Sequence, residues 1–343
     1  MSDFAARLVA WQKLHGRHDL PWQRTRDPYR IWLSEIMLQQ TQVATVIPYY
    51  ARFLARFPDL ATLAAAPQGE VLELWAGLGY YARARNLHRC AQQIVAEHGG
   101  KFPENSQKIA ELPGIGKSTA AAIAAFAFGA RGAILDGNVK RVLTRCFGID
   151  GFPGQATVER RLWELAEALL PETGIEAYTQ GVMDLGATLC TRSQPRCGDC
   201  PQRGLCVAER EGRQAELPAA KPARAVPERE SVVTLFTDGR RVLLERRPPT
   251  GIWGGLLAPP EGRPPELAAR FGLRAGACEE LPELRHSFTH FRLTLRPLRC
   301  TVDSPPLTAA DGAAQLEWVE FEKCGSAALP APIRKLLTRL AAE

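Results

Sequence analysis

Apolar residues recur at helical spacing through the first two hundred residues of the chain. Amphipathic segments include "PDLATLAAAP", "QKIAELPGIGKSTAAAIAAFAFG" and "TVERRLWELAEALLP", and short stretches with Gly and Pro separate them. None shows the alternation of apolar and polar residues that is typical of a strand. The pattern predicts an all-α domain over residues 1–210. The Ala-, Pro-, Arg- and Glu-rich stretch over residues 211–230 is a composition unlikely to bury a core, so we interpret it as a linker.

The periodicity changes after Ser231. "SVVTLF" and "RVLLERR" flank Asp238-Gly239 as the strands of a hairpin would, and "FRLTLRPL" and "QLEWVEF" are further strand candidates. The closing "APIRKLLTRLAAE" places Ile333 and Leu340, with two leucines between them, on one helix face. We therefore predict a multi-domain protein in which a smaller α+β domain over residues 231–343 follows the helical one.

Composition narrows the class of protein. Of the 343 residues, 45% are hydrophobic and 23% charged, as in ordinary globular proteins. No apolar run reaches the roughly 18 residues of a membrane span, and the start lacks a signal-peptide core, so we expect a cytoplasmic protein, associated with the nucleoid if bacterial, with no membrane partner. The net charge of +6 permits a polyanionic partner without proving one.

Four of the nine cysteines lie within residues 190–206. Cys190, Cys197, Cys200 and Cys206 are spaced C-x6-C-x2-C-x5-C, and in a reducing compartment such a cluster indicates a metal site. Spacing alone leaves iron-sulfur and zinc open. Three arginines lie between these cysteines: Arg192, Arg196 and Arg203. They could belong to a solvated charged loop, or they could contact DNA phosphates.

The segment "ELPGIGKSTAAAI" indicates two helices joined by a glycine-containing turn. Gly114 and Gly116 remove side chains where a phosphate would approach, and the N–H groups that begin the second helix are anion donors. A plain tight turn is the alternative. The loop is not a Walker loop, because the four residues that would precede Gly-Lys after the first glycine are absent.

Two carboxylates are candidates for chemistry. In "WLSEIMLQQTQ", Glu35 shares a helix face with Trp32 and Ile36, which predicts a half-buried acid whose raised pKa suits a proton donor; an ordinary surface glutamate is the alternative. In "ILDGNVKRV", Asp136 precedes a predicted helix and by itself would be an N-cap. Paired with Glu35, it would be the stabilising half of an acid-plus-stabiliser couple.

These motifs together resemble the helix-hairpin-helix DNA glycosylases related to endonuclease III, and among them the adenine DNA glycosylases more closely. The resemblance is dense through "LPWQ", "WLSEIMLQQTQVATVIPYY", "GLGYYARARNL", "LPGIGKSTA", "ILDGNVKRVL" and "QGVMDLGATLCTRSQPRC". It covers nearly all of residues 15–210 and continues more weakly beyond. It implies excision of adenine mispaired with 8-oxoguanine or guanine in duplex DNA, by a monomer whose four clustered cysteines hold a 4Fe-4S cluster.

The resemblance also implies roles for individual residues. Glu35 matches the catalytic acid, Asp136 the residue facing the positively charged sugar, and Asn138 a residue that orients the site. Ser118 stands where relatives with lyase activity carry a nucleophilic lysine, and Lys117 points about 100° around the helix, so we expect a monofunctional glycosylase.

Further positions match DNA contacts of the family. The wedge that fills the gap left by a flipped base would comprise Gln40, Tyr80 and the adjacent Leu78. Arg83 and Arg85 are predicted phosphate contacts. The positions that match the lining of the adenine pocket are Trp22, Leu38, Val43 and Gln180.

The carboxyl-terminal domain resembles a Nudix-like domain. A Nudix hydrolase needs a glutamate-rich helix to hold magnesium, but the corresponding helix here contains only Glu266, so we expect a reader of 8-oxoguanine without hydrolase activity. The recognition tip would be Phe288, Thr289 and His290. The common form has serine at the middle position; threonine keeps the hydroxyl and adds a methyl group.

Two other functions are alternatives to this one. A DNA-binding protein without chemistry should have lost one carboxylate, and both are present. A thymine or pyrimidine-damage glycosylase with lyase activity is disfavoured by Ser118 and by the reader-like second domain.

Overall fold

A computed structural model describes residues 3–222, 225–248, 250–288, 290–302, 316–325 and 327–342. The chain divides into two compact units. The first unit comprises Met1–Ala65 and Asn86–Ala223, and the second comprises Ala66–Arg85 and Arg224–Glu343. The division after residue 223 falls within the predicted linker, but the inclusion of residues 66–85 in the second unit differs from the sequence-based boundaries.

Residues 3–222 contain twelve α-helices and no strand, so the predicted all-α fold of this part is confirmed. The helices are α1 (Asp3–His15), α2 (Pro28–Leu38), α3 (Val43–Arg56), α4 (Leu60–Ala65), α5 (Gln68–Trp75), α6 (Ala82–His98), α7 (Ser106–Ala110), α8 (Lys117–Phe128), α9 (Gly137–Phe147), α10 (Ala156–Ala168), α11 (Ile175–Asp184) and α12 (Val207–Arg210). A π-helical turn, Leu185–Leu189, continues α11.

Local sequence signals fix the helices that carry the site. Asp27 caps α2 by accepting a hydrogen bond from the Tyr29 backbone N–H, and Pro28 occupies the first helical position, where its missing N–H is no loss. Helix α8 is rich in alanine and buried from Ala120 to Ala125, which identifies it as a central helix of the first unit. Its neighbours α1, α9, α10 and α11 contribute to the same hydrophobic core.

The second unit is built on a seven-stranded sheet, which confirms the α+β prediction. Its strands are β1 (Glu228–Thr237), β2 (Arg241–Arg246), β3 (Leu257–Ala258), β4 (Ala275–Glu280), β5 (Leu284–Ser287), β6 (Arg292–Val302) and β7 (Leu316–Glu320). The order is β3-β2-β1-β6-β4, with β5 paired to β6 and β7 to β2. The predicted hairpin is the antiparallel β1–β2 pair, whereas β1 and β6 run parallel.

In the described residues after 224, two helices accompany the sheet, α13 (Pro264–Phe271) and α14 (Ala331–Leu340). The apolar face of α14, including Ile333 and Leu336, is buried in a core shared with β1, β2 and β6. The added segment 66–85 is tied to this unit by two hydrogen bonds: the Tyr81 hydroxyl donates to the Leu329 carbonyl at 3.2 Å, and Arg85 Nη1 donates to the Gly254 carbonyl at 2.5 Å.

One pair of cysteines outside the 190–206 cluster is joined by a disulfide. Cys278 on β4 is exposed and forms a disulfide with Cys300, which lies directly opposite on β6 with the two Cα atoms 4.2 Å apart. The pairing was not foreseeable, because the two cysteines are 22 positions apart and only the register of β4 against β6 brings them together. In the described residues, no helix has the length and apolar character required to cross a bilayer.

Candidate active site

A cleft of about 1090 Å³ in the first unit gathers most of the predicted catalytic residues. Side chains from α2, the α2–α3 connection, α8, α9 and α11 form its walls. The predicted site residues that line it are Trp22, Glu35, Leu38, Gln40, Val43, Ser118, Asp136, Asn138 and Gln180.

Glu35 lies on α2 at the wall of this cleft. It is half-buried, while the neighbouring Ile36 and Met37 are buried. Burial, and secondarily the charge of Asp136, raise the pKa of Glu35 from 4.5 to about 7. Although they are 101 positions apart in the sequence, Glu35 and Asp136 line the same cleft.

Asp136 caps α9 and lines the cleft as well. One carboxylate oxygen accepts a 2.8 Å hydrogen bond from the Val139 backbone N–H, as an N-cap residue does. Burial raises the pKa of Asp136, although hydrogen bonds from Val139 and Asn138 and the charges of Arg141 and Lys140 oppose the rise. The N-cap and active-site interpretations of Asp136 are therefore compatible, because the second oxygen is not needed for this cap bond.

Asn138 is held on the first turn of α9. Its side-chain oxygen accepts a 2.9 Å hydrogen bond from Arg141, whose guanidinium also donates to the carbonyls of Gly186 and Cys190. Gly186 approaches so closely that an added Cβ would stand 2.6 Å from the Cβ of Asn138. Gly186 lies within the π-helical turn Leu185–Leu189, so this close packing occurs where the helix departs from regular α-helical geometry.

Sequence reasoning missed two charged residues beside the cleft. Arg17 donates to the buried Asp184 through both its backbone N–H and its guanidinium, at 2.9 and 2.7 Å. Asp184 also accepts a 2.8 Å bond from Gln180, so the pair fixes the amide of a predicted pocket residue. These two residues are 167 positions apart, and no local motif marks either of them.

Other residues that line the cleft include a buried aromatic side chain and a residue with a strained backbone. Trp22 is buried and packs edge-on against Tyr50, with ring centroids 5.4 Å apart. Gln40 adopts a left-handed backbone conformation with φ of 58°, which is uncommon for a residue other than glycine. Gln39, which was not predicted, lines the cleft and donates a long 3.4 Å hydrogen bond to Thr119.

Ser118 and Lys117 lie on different sides of α8. Ser118 lines the cleft, and its hydroxyl accepts a 3.0 Å hydrogen bond from the Leu135 backbone N–H. Lys117 is not among the cleft residues; its amine pairs with Glu167 at 2.7 Å and lies 4.2 Å above the ring of Trp163. The cleft therefore contains the Ser118 hydroxyl, and the Lys117 amine lies outside it.

The predicted phosphate-binding hairpin is formed by α7 and α8. Gly114 has φ of 78° and packs against Asn86, where a Cβ would come within 2.6 Å, so this position requires glycine. Gly116 caps α8 and has open space around it, which leaves the first N–H groups of the helix accessible. The helix start can accept an anion.

The four clustered cysteines line one cavity in the first unit, together with Cys146, Arg196 and Arg203. Arg145 donates to Cys190 Sγ at 3.4 Å, and Gln214 donates to Cys197 Sγ at 3.9 Å. Within the described ranges, no three Cys, His, Asp or Glu side chains converge as the ligands of a single metal ion would. Arg192, the third arginine of the loop, lines the neighbouring cleft instead.

The other predicted DNA contacts belong to the second unit. Tyr80 is half-exposed with φ of 49°, and Leu78 is buried. Arg83 differs from its predicted role as a phosphate contact, because its buried guanidinium donates to the carbonyls of Leu78 and Gly79. Arg85 likewise donates to a backbone carbonyl rather than pointing freely into solvent.

The predicted recognition tip joins β5 to β6. Phe288 stacks on Phe291 with centroids 4.5 Å apart, and His290 meets the edge of Phe291 at 4.9 Å. Thr289 lies outside the described residues. Glu266 is on α13 and exposed.

Two segments of the chain match known protein-family models. Residues 33–168 match the family model of HhH-GPD superfamily base excision DNA repair proteins, and residues 231–339 match that of the NUDIX domain. An adenine DNA glycosylase of Buchnera aphidicola is 33% identical over 338 residues, which is 97% of this chain and 96% of the relative. The human adenine DNA glycosylase is 33% identical, over 97% of this chain and 73% of its own length.

Solved structures match the helical part. A thermostable thymine-DNA glycosylase has a TM-score of 0.55 and 32% identity, covering 61% of this chain and 95% of that one. Endonuclease III in a non-covalent DNA complex has a TM-score of 0.52 at 21% identity, covering 62% of this chain and 98% of that one, which shows a shared fold.

Proposed function

The chain belongs to the adenine DNA glycosylase family, and from that premise we propose that it flips and excises adenine paired with 8-oxoguanine or guanine in duplex DNA. The enzyme is a DNA N-glycosylase of base excision repair. The observation that carries the proposal is the shared cleft of Glu35 and Asp136, in which the pKa of Glu35 is raised to about 7.

The chemistry follows from the two different environments of these acids. Adenine leaves deoxyribose poorly as an anion, so a protonated Glu35 would deliver its proton to a ring nitrogen as the glycosidic bond breaks. With a pKa near neutrality, a large share of Glu35 is protonated at physiological pH, which suits a general acid. Asp136, held in place as the cap of α9, would face the oxocarbenium-like sugar and stabilise its positive charge.

Strand cleavage is not expected to accompany excision. A lyase forms a Schiff base between a lysine amine and the sugar. In the cleft, Ser118 presents only a hydroxyl, and Lys117 is engaged with Glu167 and Trp163 away from it. We therefore propose a monofunctional enzyme that hydrolyses the glycosidic bond.

The cysteine cavity fits a 4Fe-4S cluster held by Cys190, Cys197, Cys200 and Cys206. The four thiols line one cavity, and four thiolates are a donor set that either zinc or an iron-sulfur cluster accepts; membership of the adenine DNA glycosylase family favours the cluster. A multi-iron cluster holds its four thiolates around a larger body. When bound, the cluster would cross-link the 190–206 loop, and the N–H groups of Arg145 and Gln214 would stabilise two of the thiolates.

The metal assignment has a direct test. The purified protein should be brown, with about four iron atoms per chain, and Cys197→Ser should lose most of the colour. Cys324→Ser is the matched control, because Cys324 is a buried cysteine of the second unit. A colourless preparation rich in zinc would overturn the assignment.

The second unit is proposed to read the base opposite adenine. Phe288 and His290 form part of an aromatic tip suited to stacking on a purine, whereas the single Glu266 of α13 cannot supply the several carboxylates of a magnesium-dependent hydrolase. The N-terminus of α8, beginning after the accessible Gly116, would contact the DNA backbone. Together these features support binding to double-stranded DNA, and we propose that the enzyme acts on it as a monomer.

A duplex cleavage assay tests the proposed substrate. Duplexes with adenine opposite 8-oxoguanine, adenine opposite guanine and thymine opposite guanine are incubated with enzyme and then treated with alkali to reveal abasic sites. We expect strand breaks at adenine in the first two, and only after alkali. Breaks at thymine, or breaks without alkali, would contradict the proposal.

Thymine is the second substrate to be tested, because the solved thymine-DNA glycosylase is 32% identical to this chain. That match covers only 61% of the chain, whereas the adenine-specific relatives match almost all of it. The thymine duplex in the same assay decides between them.

A further inference from the structure

Three residues other than glycine have a left-handed backbone among those the structure describes: Gln40, Tyr80 and Trp253, with φ of 58°, 49° and 56°. Side chains disfavour this conformation, and it persists only where the surrounding structure enforces it, commonly at functional sites. Gln40 and Tyr80 are the proposed wedge residues. Trp253 is a bulky residue in the second unit with no role in the function proposed above.

The turn that carries Trp253 is fixed from several sides. The Trp253 carbonyl accepts a 3.0 Å hydrogen bond from the Leu256 N–H, and the Gly255 N–H donates to the Arg247 carbonyl at 3.1 Å. Arg85 donates to the Gly254 carbonyl at 2.5 Å. The Trp253 side chain packs against the hydrophobic core of the second unit, so its ring is anchored to the sheet.

The Trp253 ring contacts the aromatic tip. Its centroid lies 6.0 Å from that of Phe288 and 6.2 Å from that of His286. His286 in turn meets Phe288 edge to face at 4.6 Å, and Phe291 stacks on Phe288 at 4.5 Å. Phe288 therefore contacts four rings, those of Trp253, His286, Phe291 and, at 6.5 Å, His290. Its backbone N–H donates to the Phe291 carbonyl at 2.9 Å, which closes the connection between β5 and β6.

We propose that Trp253 is a positioning residue for recognition of the base opposite adenine: its anchored ring fixes Phe288, and through Phe288 it sets the geometry of the tip that includes His290. The inference rests on the proposed function. In that function the tip contacts the base opposite adenine and not the adenine itself, so Trp253 governs the preference for 8-oxoguanine over guanine and leaves the excision chemistry unchanged.

The test measures binding rather than turnover. In a Glu35→Gln background, which prevents excision, the dissociation constants are measured for duplexes with adenine opposite 8-oxoguanine and adenine opposite guanine. Three variants are compared: Trp253→Phe, Trp253→Leu and Trp253→Gly. The ratio of the two constants is taken within one preparation, so an unfolded fraction lowers both affinities equally and cancels.

The variants separate the ring from the backbone. Phenylalanine and leucine impose the same backbone strain at position 253 but differ in aromaticity, whereas glycine relieves the strain and removes the ring. The matched control is Trp318→Leu, since Trp318 is a tryptophan of the second unit that lies on β7 and packs against a different hydrophobic core, beneath Arg241.

We expect Trp253→Leu and Trp253→Gly to lower the preference for 8-oxoguanine about three- to tenfold, as loss of an aromatic contact would. Trp253→Phe should retain most of the preference, and Trp318→Leu all of it. A preference kept within twofold by the leucine or glycine variant overturns the positioning role. If the protein with Trp253 intact shows no preference, the proposed reading of 8-oxoguanine itself fails.

Discussion

Replacing Glu35 by glutamine should stabilise the protein above neutral pH while removing excision. Burial and the nearby Asp136 raise the pKa of Glu35 from 4.5 to about 7. A carboxyl whose pKa is raised on folding contributes stability that is fully present below about pH 4.5 and is lost as the pH rises through about 7. Each pKa unit is worth about 1.4 kcal/mol, so the charged Glu35 lowers the free energy of unfolding by about 3 kcal/mol at pH 8.5.

Glutamine carries no charge at any pH, so Glu35→Gln does not lose free energy of unfolding as the pH rises. We expect Glu35→Gln to exceed the unmodified protein in stability by about 3 kcal/mol at pH 8.5 and by under about 1 kcal/mol at pH 5, because Glu35 is mostly protonated in the folded protein at the lower pH. Chemical denaturation at the two pH values measures both differences. Glu104→Gln is the control, since Glu104 is exposed in the same unit and should show no such pH-dependent gain.

Excision provides the second assay on the same variant. The single-turnover rate of adenine release by the unmodified enzyme should fall as the pH rises through about 7, as Glu35 loses its proton. Glu35→Gln should lose roughly a hundred- to ten-thousandfold in rate while still binding the mismatched duplex. Equal stability of the two proteins at both pH values would refute the buried-acid reasoning, and loss of binding together with activity would make Glu35 a structural residue.

Substitutions at three further positions test other parts of the cleft. Asp136→Asn should keep the helix cap and most of the stability but lose excision, whereas Asp136→Ala should lose both, with about 1 kcal/mol of stability; denaturation and single-turnover rates distinguish them. Ser118→Lys should place an amine in the cleft and make an enzyme–DNA adduct trappable with borohydride; absence of any adduct would contradict the assigned position of Ser118. Gly186→Ala should lower stability by about 1–3 kcal/mol and slow excision, because the new methyl group would collide with Asn138, while Gly198→Ala, with open space, should change neither.

The architecture was predictable because it depends on local patterns. Helical periodicity before residue 210 and alternation after Ser231 correctly predicted the all-α and α+β parts, since the spacing of apolar residues decides which face each element can bury. The N-cap role of Asp136 was also predictable, because the capping hydrogen bond joins its carboxylate to the backbone N–H of Val139, only three residues later. The residues that line one cleft were proposed from family motifs.

Other features depend on long-range packing that no short segment encodes. Arg83 and Arg85 look like phosphate contacts in sequence, yet both guanidinium groups bond backbone carbonyls of the second unit. The pairing of Arg17 with Asp184 and the disulfide between Cys278 and Cys300 likewise depend on which elements become neighbours.

The sequence by itself therefore determined the two classes of fold, the identities of the two acids and the spacing of the four clustered cysteines. Only the tertiary structure decided that Glu35 is desolvated beside Asp136, that residues 66–85 join the second unit and that Trp253 stands against Phe288. The physical reason is that periodicity and capping act over a few residues, whereas desolvation and ring contacts require side chains from distant segments to meet in one place.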